Sequence, residues 1–272
     1  MISKPSRKYW AGKRVLITGI TGFAGSHLAQ QLIELNALVF GITRGGKKSN
    51  YPNLMKVRKK IVLETASILD EKQLLRVLKK HSIQVIFHLA AQSSVPQAFA
   101  NPKETMEINF VAVKKILEAA KKYGRIEKIV FASSSQEYGF IKPSEVPVKE
   151  SNPLRPMNPY AQAKILATKE CVNYWKKFSL PVVVTRAFNH IGSRQDESFI
   201  VPTIVRQAIE IKAGKRREFE LENTSAKRDF TNVRDMMTGY LLAAERGRPG
   251  QAYNLCFGKA YSIKQVVKMA AK

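Results

Sequence analysis

The chain has 272 residues, 44% hydrophobic and 25% charged, an ordinary globular composition with length enough for a sizeable core. Lys and Arg number 46 against 21 Asp and Glu, a formal charge of +25. No apolar run is long enough to span a bilayer, the basic N-terminus has too short an apolar stretch for a secretory signal, and Cys171 and Cys256 are too few for a disulfide framework, so a cytoplasmic, reducing setting is expected.

Short apolar runs alternate with helical patterns. RVLITG at Arg14–Gly19 predicts a buried strand, and SHLAQQLIEL follows with Leu28, Leu32 and Leu35 at helical spacing. Strands are predicted at Ala37–Ile42 and Lys60–Glu64. The helix EKQLLRVLKK leads to the strand QVIFHLA, and a helix around ETMEINFVAVKKILEAAKKY leads to KIVFAS. A helix opening at Pro159 leads to PVVVTRAF. After Phe188 the rhythm loosens, with a basic helix near Val201–Lys212. This alternation predicts an α/β fold: a Rossmann-type, doubly wound parallel sheet over residues 1–187. Residues 188–272 read as a smaller C-terminal substrate-binding lobe that partly returns to the sheet. The chain ends inside an amphipathic pattern, KQVVKMAAK, with no Gly or Pro stop, so a truncated C-terminus is expected.

The lysine doublets, among them Lys47-Lys48, Lys59-Lys60, Lys79-Lys80, Lys121-Lys122 and Lys176-Lys177, are scattered along the chain. Only Lys212–Arg217, KAGKRR, forms a local cluster. Scattered doublets read as solvated helix faces, so nucleic acid is not an expected partner, and with no apolar run of spanning length neither is a membrane. No HExxH motif or CxxC pair is present, and His27, His81 and His88 are dispersed, so no metal is expected.

TGITGFAG places Gly19, Gly22 and Gly25 three apart between the first strand and the first helix. Gly19 permits the tight turn, Gly22 lets the backbone approach a pyrophosphate, and Gly25 lets helix and strand pack closely. The helix N-terminus then offers N–H groups to the anion. An acid ending the second strand would bind the ribose 2′-OH of NAD. GITRGGKK carries Thr43 and Arg44 instead, and Arg44 suits the 2′-phosphate of NADP, with NAD as the alternative.

NPYAQAK sets Tyr160 four residues before Lys164, on one helix face. A free tyrosine titrates near 10, and a nearby ammonium with an oxidised nicotinamide would stabilise phenolate and bring that value down.

The motifs GITGFAG, HLAAQSSV, SSSQEYG, NPYAQAK, RAFNHIG and RDFTNVRD occur in the order and spacing of one family. From about Lys13 onward the chain resembles the extended short-chain dehydrogenase/reductases that modify nucleotide sugars. FNHIG and LRPMNPYAQAK are most similar to the branch acting on GDP-sugars. The resemblance implies Tyr160 as proton donor, Lys164 as its partner and holder of the nicotinamide ribose, and Ser134 as the hydroxyl bonding the reacting sugar oxygen. It implies cofactor contacts at Thr21, Phe23, Ala24, Ser67, Ile68, Leu89, Ala90, Ala91 and His190. Substrate contacts are implied at Ser93, Gln136, Asn189 and Arg228, the last on a diphosphate. Asn109 resembles an asparagine that steadies the active-site strand. Ser67 stands where relatives carry an adenine-contacting aspartate.

Gln136 departs from the dehydratase pattern, which has a glutamate there to move the C5 proton. An amide cannot serve as that base, and Glu137 is expected to point elsewhere. Gln136 argues against the dehydratase more than for the reductase; with the intact Ser134, Tyr160 and Lys164 set and the FNHIG match, the reading is an NADP(H)-dependent reductase of a GDP-4-keto-6-deoxy-hexose, working as a homodimer on a nucleotide-diphosphate sugar. The alternatives are a GDP-mannose 4,6-dehydratase or nucleotide-sugar 4-epimerase, and a non-catalytic basic binding protein on the same fold.

Overall fold

The computed structural model describes residues 4–45 and 50–271; the Lys47-Lys48 doublet lies outside them. Ten strands occur among the described residues: β1 (Arg14–Thr18), β2 (Leu38–Thr43), β3 (Ile61–Thr65), β4 (Val85–His88), β5 (Lys128–Ser134), β6 (Val182–Ala187), β7 (Asn189–Ile191), β8 (Lys227–Asn232), β9 (Ala252–Leu255) and β10 (Ala260–Ser262). Seven make one parallel sheet in the order β3-β2-β1-β4-β5-β6-β9. This is the Rossmann-type sheet, with its order reversing between β1 and β4. A ligand crevice opens at that reversal, above the carboxyl ends of the strands. A second sheet, β10-β8-β7, flanks the crevice.

Strands covered on both faces must be apolar throughout, and β6 is buried at every position although it carries Thr185 and Arg186. One face packs against Trp10, Leu28, Leu32, Met237 and Leu241, from the helical turn Arg7–Trp10 and the helices Phe23–Glu34 and Val233–Arg246. The other packs against Leu74, Leu78, Ile116, Leu117 and Ala167, from the helices Glu71–Lys80, Ala112–Tyr123 and Pro159–Phe178. Cys171 lies in this second core, where burial pushes its thiol up and leaves it inert.

The helix Pro159–Phe178 positions the chemistry. Its start is set by Asn158, whose side chain accepts the Ala161 N–H at 2.8 Å, and by Pro159 at the first helical position. Ala161, Ala163 and Ala167 keep its buried face close to the sheet. The predicted helix over residues 104–123 is longer than expected. It begins at Pro102 and contains a π-helical segment, Glu107–Val111, before Ala112–Tyr123.

His88 ends β4 with Nδ1 2.7 Å from the Thr18 hydroxyl, while its buried Nε2 has no partner. Burial, aided by the Lys164 charge, pushes its value down from 6.5 to about 3. Between those limits the unfolded chain binds a proton that the folded chain refuses, so stability falls as pH drops below 6.5. For His88 this costs about 2 kcal/mol between pH 7 and pH 5. His27 and His190 are lowered too and add the same sign. Urea melts at the two pH values should therefore show acid destabilisation, and His88→Asn should flatten the difference by about one group's share.

Candidate active site

The glycine loop joins β1 to the helix Phe23–Glu34, and its close packing is dictated sterically. Gly19 has φ 72°, and a Cβ there would lie 2.7 Å from the Ala90 nitrogen. A Cβ on Gly25 would lie 2.2 Å from the Gly19 carbonyl oxygen. Gly22 caps the helix with no side-chain hydrogen bond to its first N–H groups, the arrangement that receives an anion. Gly25→Ala must push the loop off the helix. We expect about 1–3 kcal/mol of lost stability and loss of dinucleotide binding, read by melting and by cofactor fluorescence titration.

From this loop a cleft of about 1640 Å³ runs across the sheet's carboxyl end. Its walls include Thr21, Gly22, Phe23 and Ala24 of the loop, Arg44 after β2, Ser67 and Ile68 after β3, and Leu89, Ala90, Ala91 and Ser93 after β4. Ser134, Gln136, Asn189, His190 and Arg228 line the rest. The volume exceeds the ordinary range for one small ligand and fits a dinucleotide beside a second nucleotide. Two lining residues, Thr43 and Gln195, hold a buried oxygen with no protein partner, Thr43 Oγ1 and Gln195 Oε1. A polar ligand would satisfy them, so the residues present fit a nicotinamide dinucleotide.

Ser134 ends β5 and Tyr160 opens the long helix, so a strand end and a helix start bring the two hydroxyls together. Lys164, one turn on, donates to the Ala132 carbonyl at 2.8 Å, with Nζ 5.8 Å from the Tyr160 ring centre. Tyr160 and Lys164 are both buried. The lowering expected for the phenol invokes Lys164 together with an oxidised nicotinamide; the protein's own groups act the other way. Burial dominates and pushes Tyr160 up to about 12, the Glu137 charge adds to the rise, and only the Ser134 hydrogen bond pulls the other way. Burial pushes Lys164 down to about 8, opposed by Glu137. In this state Tyr160 is a fully protonated phenol at neutral pH, which is what a proton donor needs to be.

Gln136 faces the cleft, with its Oε1 3.4 Å from Asn158 Nδ2. Glu137 turns the opposite way and is fully buried. Its carboxylate accepts from Ser133 Oγ at 2.5 Å, Thr168 Oγ1 at 2.6 Å and Arg186 Nε at 2.5 Å. Arg186 also donates to the Tyr138 hydroxyl and the Glu150 carbonyl, each at 3.0 Å. This network ties β5, β6 and the long helix together directly behind Ser134 and Tyr160. Nothing in the sequence pattern marks it, because an acid beside a serine run reads as exposed.

The Asn109 amide accepts from the Gln92 N–H and donates to the Gln92 carbonyl, steadying the loop that follows β4. Arg228, on β8, donates to the carbonyl of Lys227 and lines the cleft. The Lys212–Arg217 cluster is partly neutralised, since Arg216 pairs with Glu210 and Glu220. Motif reading missed Arg194, which holds a left-handed φ of 73° and reaches Ser26 and Gln30 beside the glycine loop. It also missed the stacking of Phe23 on His190, with ring centres 5.6 Å apart.

Residues 16–272 match the GDP-mannose 4,6 dehydratase family. The chain is 29% identical over 260 residues to the GDP-6-deoxy-D-mannose reductase of Pseudomonas aeruginosa, covering 95% of this chain and 79% of that protein. It is 31% identical over 267 residues to the GDP-mannose 4,6-dehydratase of Sinorhizobium fredii, covering 95% of this chain and 75% of that one. Among solved structures, RMD from Pseudomonas aeruginosa complexed with NADPH superposes with a TM-score of 0.80 at 28% identity, over 94% of this chain and 80% of that chain.

Proposed function

The chain belongs to the GDP-mannose 4,6-dehydratase family, a group of short-chain dehydrogenase/reductases acting on nucleotide sugars, and on that premise we propose that it reduces the 4-keto group of a GDP-4-keto-6-deoxy-hexose using NADPH. One observation carries the reductase reading over the dehydratase. The position facing the cleft beside Ser134 is the amide of Gln136, while the neighbouring carboxylate of Glu137 is sealed into the network behind. Asp196 is the one carboxylate among the described lining residues, and it is tied to Ser198 N and Oγ. Water elimination needs a base at C5, and a simple reduction does not.

The reduced nicotinamide, when bound, supplies the hydride. The protein's share is binding, orientation and the proton. Gly22 and the helix start would receive the pyrophosphate, Arg44 the 2′-phosphate, and Lys164 the nicotinamide ribose. The Ser134 hydroxyl would donate a hydrogen bond to the ketone oxygen as negative charge develops there. Tyr160 would then transfer its phenolic proton to that oxygen, and the Lys164 ammonium would stabilise the phenolate left behind. Arg228 would grip the diphosphate as a two-pronged donor, with Asn189 beside the sugar. A homodimer and the GDP base are part of this reading.

Two incubations test it. With the 4-keto-6-deoxy sugar nucleotide the purified protein should oxidise NADPH; with GDP-mannose alone it should form no 4-keto product. The reverse pattern would make the chain a dehydratase. Arg44→Asp should shift the preference from NADPH toward NADH by at least about tenfold in kcat/KM, the loss of one charge-assisted phosphate contact.

A further inference from the structure

Four of the lysine doublets scattered along the chain converge in space. In a parallel sheet all strands start at one end, and here the registers align those starts: Arg14 with Leu38, Val85 with Lys128, and Ile129 with Val182. The covering helices end where the strands begin, so the segments leading into strands share the end of the molecule opposite the cleft. Those segments are 4–14, 34–38, 58–61, 79–85, 121–128, 176–182 and 245–252. Their only acids are Glu34, Glu127 and Glu245. Against these stand the doublets Lys59-Lys60, Lys79-Lys80, Lys121-Lys122 and Lys176-Lys177, with Arg246 and Arg248 beyond.

Glu245 is occupied by the Trp10 indole and Glu127 by Lys13. Lys80, Lys121 and Lys122 are paired with Glu64, Glu118 and Glu71. Among the described residues no ion pair engages Lys59, Lys60, Lys79, Lys176 or Lys177, and all five are exposed. Helix dipoles favour a lysine near each helix end. They do not explain doublets at three neighbouring helices of one layer, nor the basic strand starts beside them.

Two exposed apolar side chains lie among these cations. Phe178 follows Lys176-Lys177 and is 50% exposed, with Lys121 Nζ 4.4 Å above its ring. Leu38, at the start of β2, is 45% exposed. Six strand spacings make the row of strand starts about 29 Å long, with a row of helix ends on either side.

We propose that this face docks the protein onto an anionic phospholipid membrane surface, with the catalytic cleft turned toward the aqueous side. Lysine ammonium groups spread over a broad end face match a plane of anionic headgroups, each adding to the attraction. Interleaved apolar tips suit the headgroup boundary. A nucleic-acid site would instead gather its cations along a groove with aromatics for the bases to stack on.

Vesicle co-sedimentation tests the proposal. The full chain should pellet with phosphatidylcholine vesicles containing about 30% phosphatidylserine, stay in solution with pure phosphatidylcholine, and be released at about 0.5 M salt. The variant K59E/K79E/K176E/K177E should lose at least about tenfold in vesicle affinity. Its melting temperature and cofactor binding, at the other end of the molecule, should stay unchanged. If that variant does not fold, the salt and lipid dependence of the unaltered protein decides. No pelleting at low salt, equal pelleting with neutral vesicles, or tighter binding to duplex DNA or RNA than to anionic vesicles would each overturn it.

Discussion

Replacing Tyr160 with phenylalanine should lower kcat by about 10²–10⁴-fold, the usual contribution of a positioned proton donor. The substitution removes one oxygen and keeps the ring, so packing under the cleft survives. Ser134 keeps the Gln136 N–H and loses only the phenol, which water can replace at the cleft. Dinucleotide affinity should therefore change little, and KM for the sugar should move far less than kcat. That split separates a proton donor from a structural tyrosine, whose loss would lower stability and affinity together. Stopped-flow NADPH oxidation with saturating sugar measures it. The direction of Tyr160's displacement matters here. Burial raises the phenol's value, so it holds its proton near neutrality and reduction should show no loss of rate from phenol ionisation there.

The second large effect is on stability. Arg186 and Glu137 form a buried ion pair, with side chains 7% and 0% exposed, and removing one partner strands the other charge. Glu137→Gln or Arg186→Met should each cost about 3–5 kcal/mol in urea unfolding. At about 2–4 °C per kcal/mol this is a melting decrease of roughly 6–20 °C. The double variant should recover a clear part of the loss, because neither charge is then left unpaired. Since Ser133 and Thr168 share the Glu137 carboxylate, the single variants should also loosen β5 against the helix bearing Tyr160 and Lys164. Additive losses in the double variant would mean that the two residues act separately.

Much of this architecture is legible in the residues because local signals and topology agree. VLIT, VVVT and the glycine loop are short, strongly biased patterns bounded by turn residues, and they form β1, β6 and the loop the spacing predicts. The second sheet is not legible. β7 and β10 have three residues each, none of them buried, and β8 reads KRDFTN, so no alternation of apolar and polar residues marks them. The π-helical segment at Glu107–Val111 is likewise invisible to a 3.6-residue period; it carries Asn109 to Gln92.

At the site, motif spacing brings Ser134, Tyr160, Lys164 and His190 into one cleft. It is silent on the two features that set the electrostatics. Burial of Glu137 depends on Arg186, some fifty positions away, and on Thr168 one turn beyond Lys164. The raised phenol and lowered ammonium follow from desolvation, which a one-dimensional pattern does not carry. The basic end face is hidden for the same reason: its members are dispersed in sequence and adjoin only once the strands align.

The most direct test follows the hydride itself. NADPH carrying deuterium at the transferable C4 position should be incubated with the GDP-4-keto-6-deoxy sugar, and the product analysed by mass spectrometry and NMR. The proposed chemistry predicts one deuterium at sugar C4 and stoichiometric oxidised cofactor. A reduced product without label, or no product while GDP-mannose is converted to its 4-keto form, would contradict it.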